Sequence, residues 1–235
     1  NTTGVTANSV VGTRNSVDNG ASNNDVSGNG NIVDASSNNV VTGSTNQVLA
    51  GSNDNVVGGS NNYLDPSNYN LVVGQSNILT DSNSNTVSGF SNDLDNANQN
   101  QVSGNDNTVA NSDNNTIAGD TNAVNNSDSN QVAGDTNNVT DSSNNTVSGN
   151  LNLLNTALNN QVSGLSNNVT ASDNNTVAGD SNLVNNSDSN QIAGDTNNVT
   201  DSSNNTVSGN LNLLDTALNN QVSGLSNNVT ASNNN

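Results

Sequence analysis

The chain is governed by one spaced tripeptide, Asn-x-Val, in which Leu or Ile at times replaces Val. Its Asn falls at 55, 62, 70, 77, 85, 92, 100, 107, 115 and 122, then runs through 130, 137, 145 and 152 to 220 and 227. Steps of seven and eight alternate, so the period is fifteen with two half-coils. Upstream the same pattern stands at 8, 15, 24, 31, 39 and 46, with two coils lengthened to sixteen. Side chains alternate across a strand, so the Asn and Val of each tripeptide share one side and the residue between them faces the other. Val102 and Val109 are therefore expected to face each other across a thin coil, and stacking extends the pair into two aliphatic rows. No 3.6-residue periodicity is present, and Asn, Gly, Ser, Thr and Val favour turns and strands over helix. The pattern predicts an all-β chain: a β-solenoid, a two-faced β-roll of about 15 coils of 15 residues, with Val/Leu/Ile core rows.

The Asn of each tripeptide points inward on this reading, and an inward amide without partners costs on the order of 1–3 kcal/mol. Identical amides stacked coil on coil can donate to one neighbour and accept from the other. Asn85, Asn92, Asn100, Asn107, Asn145 and Asn152 are read as rungs of internal ladders. Sequons such as Asn138-Val-Thr and Asn168-Val-Thr arise freely from this composition. A Gly once per coil, at 74, 89, 104, 119 and onward to 224, is expected at a corner after a three-residue strand, where φ is positive or backbones approach closely. Ser112 and its equivalents fall in the second turn, as does Pro66, where it is expected to interrupt no ladder.

The array is read as one unit, 1–235, with coils starting at Asn8, Asn24, Asn39 and Asn55 and then every fifteen residues to Asn220. A longer period overlies it: 115–174 and 175–234 are four-coil duplicated blocks. Asn130–Gly164 and Asn190–Gly224 differ only by Ile192 for Val132 and Asp215 for Asn155. Asn235 opens a further coil in this register, which is the expectation for part of a longer array or an edge that stacks on another chain.

Composition sharpens the picture. Only 28% of the chain is hydrophobic and 1% aromatic, too little for one round core. Scattered, such a sequence would stay disordered. Gathered into rows, each buried Val or Leu contributes about 1.5–3 kcal/mol and offsets ordering entropy. All 20 acidic residues are Asp, Arg14 is the sole cation, and the net charge is −19. That excludes a basic nucleic-acid footprint and docking on an anionic membrane, and no run is apolar enough to span a bilayer. There is no Cys, hence no disulfide or thiolate site.

The usual catalytic parts are also missing: no His, Cys, Lys or Glu is present, so no triad can be assembled and no catalytic residue is assigned. Asp120, Asp135, Asp180 and Asp195 share the corner position after Gly. A carboxylate row could hold calcium, but Asn150 and Leu165 interrupt it, and a solvated corner is the alternative reading. No metal or cofactor is predicted. The outward residue of the first tripeptide alternates Thr86, Gln101, Thr116, Gln131, Thr146, Gln161, Thr176, Gln191, Thr206, Gln221, and the outward residue after Val is small, as at Ser88, Ser103, Ala118, Ser148 and Ser208. This predicts a flat strip with hydroxyls at fixed spacing. Leu151, Leu153, Leu158 and Leu165 lie outside the core rows and return as Leu211, Leu213, Leu218 and Leu225. They predict an apolar contact cluster every four coils, about 19 Å apart.

The runs Asn-Asn-Thr-Val-Ser-Gly-Asn at 144–150 and 204–210, within the whole Asn-x-Val-x-Gly-x-x-Asn-x-Val frame, resemble the ice recrystallisation inhibition proteins of perennial ryegrass. The resemblance spans at least 8–229 and implies a left-handed β-roll with an ice-adsorbing flat face. On that resemblance Thr86, Ser88, Thr116, Thr146, Ser148, Thr176, Thr206 and Ser208 would contact ice. Gln in every second coil departs from the pattern and roughens the plane. A second resemblance, to heads of trimeric autotransporter adhesins, rests on their short Gly-bearing coils. Two functions follow as expectations for an extracellular or cell-surface protein. In one, ice is the ligand. In the other, the chain is a structural or adhesive shaft whose partners are neighbouring copies of itself, joined end to end or through the Leu clusters.

Overall fold

A computed structural model of the protein describes residues 7–234; Asn235, expected to open a further coil, lies outside them. The described residues form an all-β solenoid of fifteen coils with two strands in each. It divides into two compact units, 1–120 and 121–235. In the first unit, strands such as Val56–Ser60, Leu71–Gln75, Thr86–Phe90 and Gln101–Asn105 pair in parallel into one sheet. Tyr63–Asp65, Ile78–Thr80, Asp93–Asp95 and Thr108–Ala110 form the other. In the second unit, Gln131–Ala133, Thr146–Asn150, Gln161–Leu165 and their successors to Gln221–Leu225 make the first sheet. Ala123–Asn125, Asn138–Thr140, Leu153–Asn155 and their successors to Asn228–Thr230 make the second. Register is strict: Val lies on Val and Gly on Gly from coil to coil.

The core is the pair of rows the pattern predicts. Val102 and Val109 are buried, as are Val72, Leu79, Val87 and Leu94 in the first unit and Val147, Leu154, Val162 and Val169 in the second. Beside them run the Asn ladders. Asn100 donates its backbone N–H at 2.8 Å and its Nδ2–H at 3.2 Å to Asn85 Oδ1, and its other amide hydrogen to the Ser112 carbonyl at 2.8 Å. Asn92 and Asn107 repeat this in the other half-coil, where the carbonyls reached are those of Gly104 and Gly119. Asn145 and Asn152 do the same in the second unit. The third amide bond reaches a backbone carbonyl further along the chain, in the second turn from Asn100 and Asn145 and at the strand Gly from Asn92, Asn107 and Asn152. Among the described residues no buried side-chain N or O atom lacks a partner, so burying this many amides carries no unpaired cost.

A third inward row was not foreseen. Ser52, Ser67, Ser82, Ala97 and Ser112 are fully buried in the second turn, and the Ser hydroxyls accept the backbone N–H of the next coil, as Ser82 does from Ala97 at 3.1 Å. Ser127, Ser142, Ser172, Ser187 and Ser202 repeat it in the second unit.

Two details correct the sequence reading, at Gly and at Pro66, and a third locates the extra residue of the long coils. The first strand of most coils runs five residues, through Gly, so Gly89 and Gly104 are paired rungs rather than corners after a three-residue strand. Their φ values of 125° and 118° are nevertheless positive, and a Cβ on Gly104 would lie 1.9 Å from the Gly119 carbonyl oxygen. The two sixteen-residue coils place their extra residue in the second turn, at Asn19-Gly20 and Ala50-Gly51, all with positive φ. There Ala21 and Ser52 close tight turns onto Asp18 and Leu49 at 3.2 and 3.1 Å. Pro66 does interrupt a row. Asp81, Asn96 and Asn111 at its position have φ near +49° and donate N–H to the coil before, and proline can do neither.

Candidate functional site

The outward positions of the first sheet carry every Thr and Ser expected there. Thr86, Ser88 and Thr116 are exposed in the first unit, and Thr146, Ser148, Thr176, Thr206 and Ser208 in the second. Each lies in coil-to-coil register, Thr86 with Gln101 and Thr116, Thr146 with Gln161 and Thr176. Neighbouring strands stand about 4.8 Å apart, and the two outward residues of one strand about 6.6 Å apart. Thr is stiff at χ1, so the grid of methyls and hydroxyls is fixed by the backbone. None of these five Thr hydroxyls makes a side-chain hydrogen bond among the described residues, which leaves their donor and acceptor capacity for the surroundings.

The Gln residues shape the relief between them. In the second unit, hollows of about 330 and 260 Å³ open beside Gln161 and Gln191. Thr146, Ser148, Ser163 and Thr176 border the first, and Thr176, Ala178, Ala193 and Thr206 the second. The face is corrugated with a two-coil period, as the alternation of Thr and Gln implies.

The charge map separates the two sheets. Of the 20 Asp residues, only Asp25 stands at an outward first-sheet position beside the core aliphatic residue; Asp120 closes the strand Thr116–Asp120 at the edge of the sheet. Asp18, Asp34, Asp65, Asp93, Asp95 and Asp215 project from the second sheet. The rest occupy turns or strand ends. On the second sheet Tyr63 donates its hydroxyl to Asp65 at 2.9 Å, and that bond, with burial and the carboxylate's charge, holds the phenol above its usual pKa. Asp93 is raised above its usual pKa by burial and then by the charge of Asp95 beside it. In the second unit, second-sheet Thr140, Thr170 and Thr200 donate their hydroxyls to Asn138, Asn168 and Asn198 at 2.8 Å.

The corner carboxylates have a structural partner. Asp120 accepts the backbone N–H of Asn105 at 2.9 Å, Asp180 that of Leu165 at 3.0 Å, and Asp195 that of Asp180 at 3.0 Å. Asn150 does the same for Asp135. The row accepts backbone N–H groups at the end of the first strand and in the turn after it, a role neither sequence reading of these residues included. Among the described residues no three Asp side chains converge as a metal site.

The Leu residues are placed outside the core as expected, but not as one cluster. Leu151 is 53% exposed in the first turn and Leu165 43% exposed at the end of Gln161–Leu165, one coil on, in that same turn. Half-buried Leu153 opens the second-sheet strand directly after it. Leu158 lies in the opposite turn, beyond that strand, with its N–H on Asp173. Leu211, Leu213, Leu225 and Leu218 repeat the division, all four exposed.

No curated protein matches the chain. A structure of a protein described as an acetyltransferase from Desulfovibrio desulfuricans G20 aligns at 8% identity over 79% of this chain with a TM-score of 0.20, and the chain spans 65% of that structure's length. So faint a likeness carries no argument. Residues 87–185 match the family model described as grass antifreeze beta roll, so over that stretch the likeness to the ryegrass-type ice recrystallisation inhibition β-roll is shown.

Proposed function

We propose that the protein is a non-enzymatic, extracellular ice-binding β-solenoid whose first sheet meets ice. The observation that carries the reading is the segregation of charge: at the outward first-sheet positions that flank the core residue, the positions that carry the unpartnered Thr hydroxyls, one carboxylate among 20 stands. A carboxylate holds its own water strongly, so a charge-free face of stiff side chains is the one on which water can take up a lattice order. The grass antifreeze match over 87–185 supports it. Adsorbed chains pin the boundary between crystals, so large crystals no longer grow at the expense of small ones.

Thr146→Lys with Thr176→Lys places two long cations on this face without touching the core. During annealing of a frozen solution the double variant is expected to restrain crystal size measurably less than the parent while its β circular dichroism persists. A folded variant as active as the parent would remove the face from the site. A second reading, a shaft that associates laterally, is supported by the recurrence of Leu151, Leu153 and Leu165 as Leu211, Leu213 and Leu225 at one turn.

A further inference from the structure

The first sheet of the first unit changes character upstream of the matched stretch. Val40, Val56 and Leu71 take the outward position held downstream by Thr or Gln, in direct register with one another. They are 40%, 46% and 42% exposed, and Val73, on the other outward position, is 50% exposed. Leu71 pairs with Thr86, and Val73 with Ser88. Asp25 adjoins Val40 on one side and Gln101 adjoins Thr86 on the other. The four coils between them carry no charge and no Gln at the two outward positions beside the core Val; Gln75 stands at the last residue of Leu71–Gln75, at the edge of the sheet. The Asp residues of the same stretch, Asp54, Asp65 and Asp81, stand in the turns or on the second sheet.

We propose that Val40, Thr42, Val56, Leu71, Val73 and Thr86 form a second ice-adsorbing plate, separate from the Thr/Gln face of the second unit and the stronger of the two. The proposal rests on the ice reading above. Aliphatic side chains left in water in a chain only 28% hydrophobic mark a contact surface. A second copy of the chain is a poor occupant, because a charge of −19 on each copy opposes association. Ice is a fitting one. The patch is continuous with Thr86 and Ser88, and all but one of its bulky side chains are β-branched and stiff at χ1. The methyls are thus fixed about 4.8 Å apart across strands and about 6.6 Å along them. No Gln interrupts the column Val40, Val56, Leu71, Thr86, so contact along it is continuous where the second unit offers it only at every other coil.

The test compares three variants of the full chain by the lowest concentration that stops recrystallisation, with circular dichroism and sedimentation of each. Val56→Lys with Leu71→Lys is expected to raise that concentration about tenfold, equivalent to ~1.4 kcal/mol of lost adsorption, and more than Thr146→Lys with Thr176→Lys does. Val56→Thr with Leu71→Thr, which keeps the plate level and uncharged, is expected to stay near the parent. A folded Val56→Lys, Leu71→Lys chain with parental activity overturns the plate, and if Thr146→Lys, Thr176→Lys has meanwhile lost activity, the ice reading itself stands. A self-associating parent that the Val56→Lys, Leu71→Lys change renders monomeric with undiminished ice activity makes the patch a protein contact and overturns the plate too. A parent without ice activity sinks both readings together.

Discussion

Asn145 sends its backbone N–H and its Nδ2–H to the single Oδ1 of Asn130, at 2.8 and 3.1 Å, and keeps its second amide hydrogen for the Ala157 carbonyl at 2.8 Å. Its own Oδ1 serves Asn160 in the same way. Truncation therefore strips partners from both neighbours and from the turn. Asn145→Ala leaves the Asn160 N–H and the Ala157 carbonyl buried and unpaired, at about 1–3 kcal/mol each. Asn159, exposed in the turn with φ of 58°, has no comparable role, and Asn159→Ala is expected to cost only its αL preference, roughly 1–2 kcal/mol. Denaturant midpoints of the two variants decide it: equal shifts would refute a supporting ladder.

Gly104 and Gly20 both have positive φ but sit in opposite surroundings. A Cβ on Gly104 meets the Gly119 backbone at 1.9 Å, whereas one on Gly20 meets nothing within 4 Å. Backbone cannot step aside as a flexible side chain does. Gly104→Ala is expected to prise two coils apart and destabilise by more than about 3 kcal/mol, the scale of a severe core defect. Gly20→Ala should show only the strain of its φ, roughly 1–2 kcal/mol. Thermal melts giving the two the same loss would mean that the Gly column is selected for φ alone and not for close approach.

The capping role of the corner carboxylates predicts indifference to metal. Asp180 holds the Leu165 N–H and lends its own to Asp195. An amide oxygen accepts as a carboxylate does, so Asp180→Asn should leave the melting temperature near the parent's, and Asp180→Ala should lose about 1 kcal/mol. Chelation with EDTA should leave β circular dichroism unchanged. A calcium-dependent rise in melting temperature that Asp180→Asn abolishes would restore the ion-binding reading.

Asp93 and Asp95 face the same way from one short strand, and the raised pKa of Asp93 makes stability depend on pH there. A folded-state pKa above the unfolded value of about 3.9 means stability is fully present below that value and is lost as pH rises through the folded pKa. The pair thus weakens the fold at neutral pH and not in acid. Asp93→Asn should raise the melting temperature at pH 7 and leave it unchanged at pH 3. A lower melting temperature at pH 7 would show that the carboxylate is held by a favourable contact instead.

What could be read beforehand follows from the strength of the period. Asn-x-Val recurs in every coil, and two-residue alternation then fixes which side of the strand Asn100 and Val102 take, so rows, ladders and sheets were legible. The Ser row was not, because Ala97, Ala157 and Ala217 break it and Ser is common throughout; its fifteen-residue recurrence at Ser52, Ser67 and Ser82 was the available signal. The emptiness of the first sheet in charge was hidden for another reason. Asp occupies many positions, and only after each is assigned inside, outside or turn does Asp25 stand alone. The Leu clusters misled because Leu151 and Leu158 are seven residues apart. That is half a coil, and half a coil is the step from one turn to the opposite one.

The same geometry sets the final prediction. Leu151 and Leu165 stand at the first turn with Leu153 just beyond it, and Leu211, Leu225 and Leu213 repeat them four coils on, about 19 Å by strand spacing. Leu158 and Leu218 belong to the other turn and should not share their role. If the first-turn sets seat a lateral contact, Leu153→Ser with Leu213→Ser should reduce association in sedimentation experiments, and Leu158→Ser with Leu218→Ser should not. Salt should strengthen the contact by screening a net charge of −19, so the difference should widen as ionic strength rises. Ice activity should be indifferent to both pairs, since neither Leu153 nor Leu213 stands on the first sheet. Loss of ice activity from the Leu153, Leu213 pair alone, with the fold intact, would move the ice contact to the second sheet. A parent that stays monomeric at every salt concentration would leave the Leu residues without a lateral partner of their own kind.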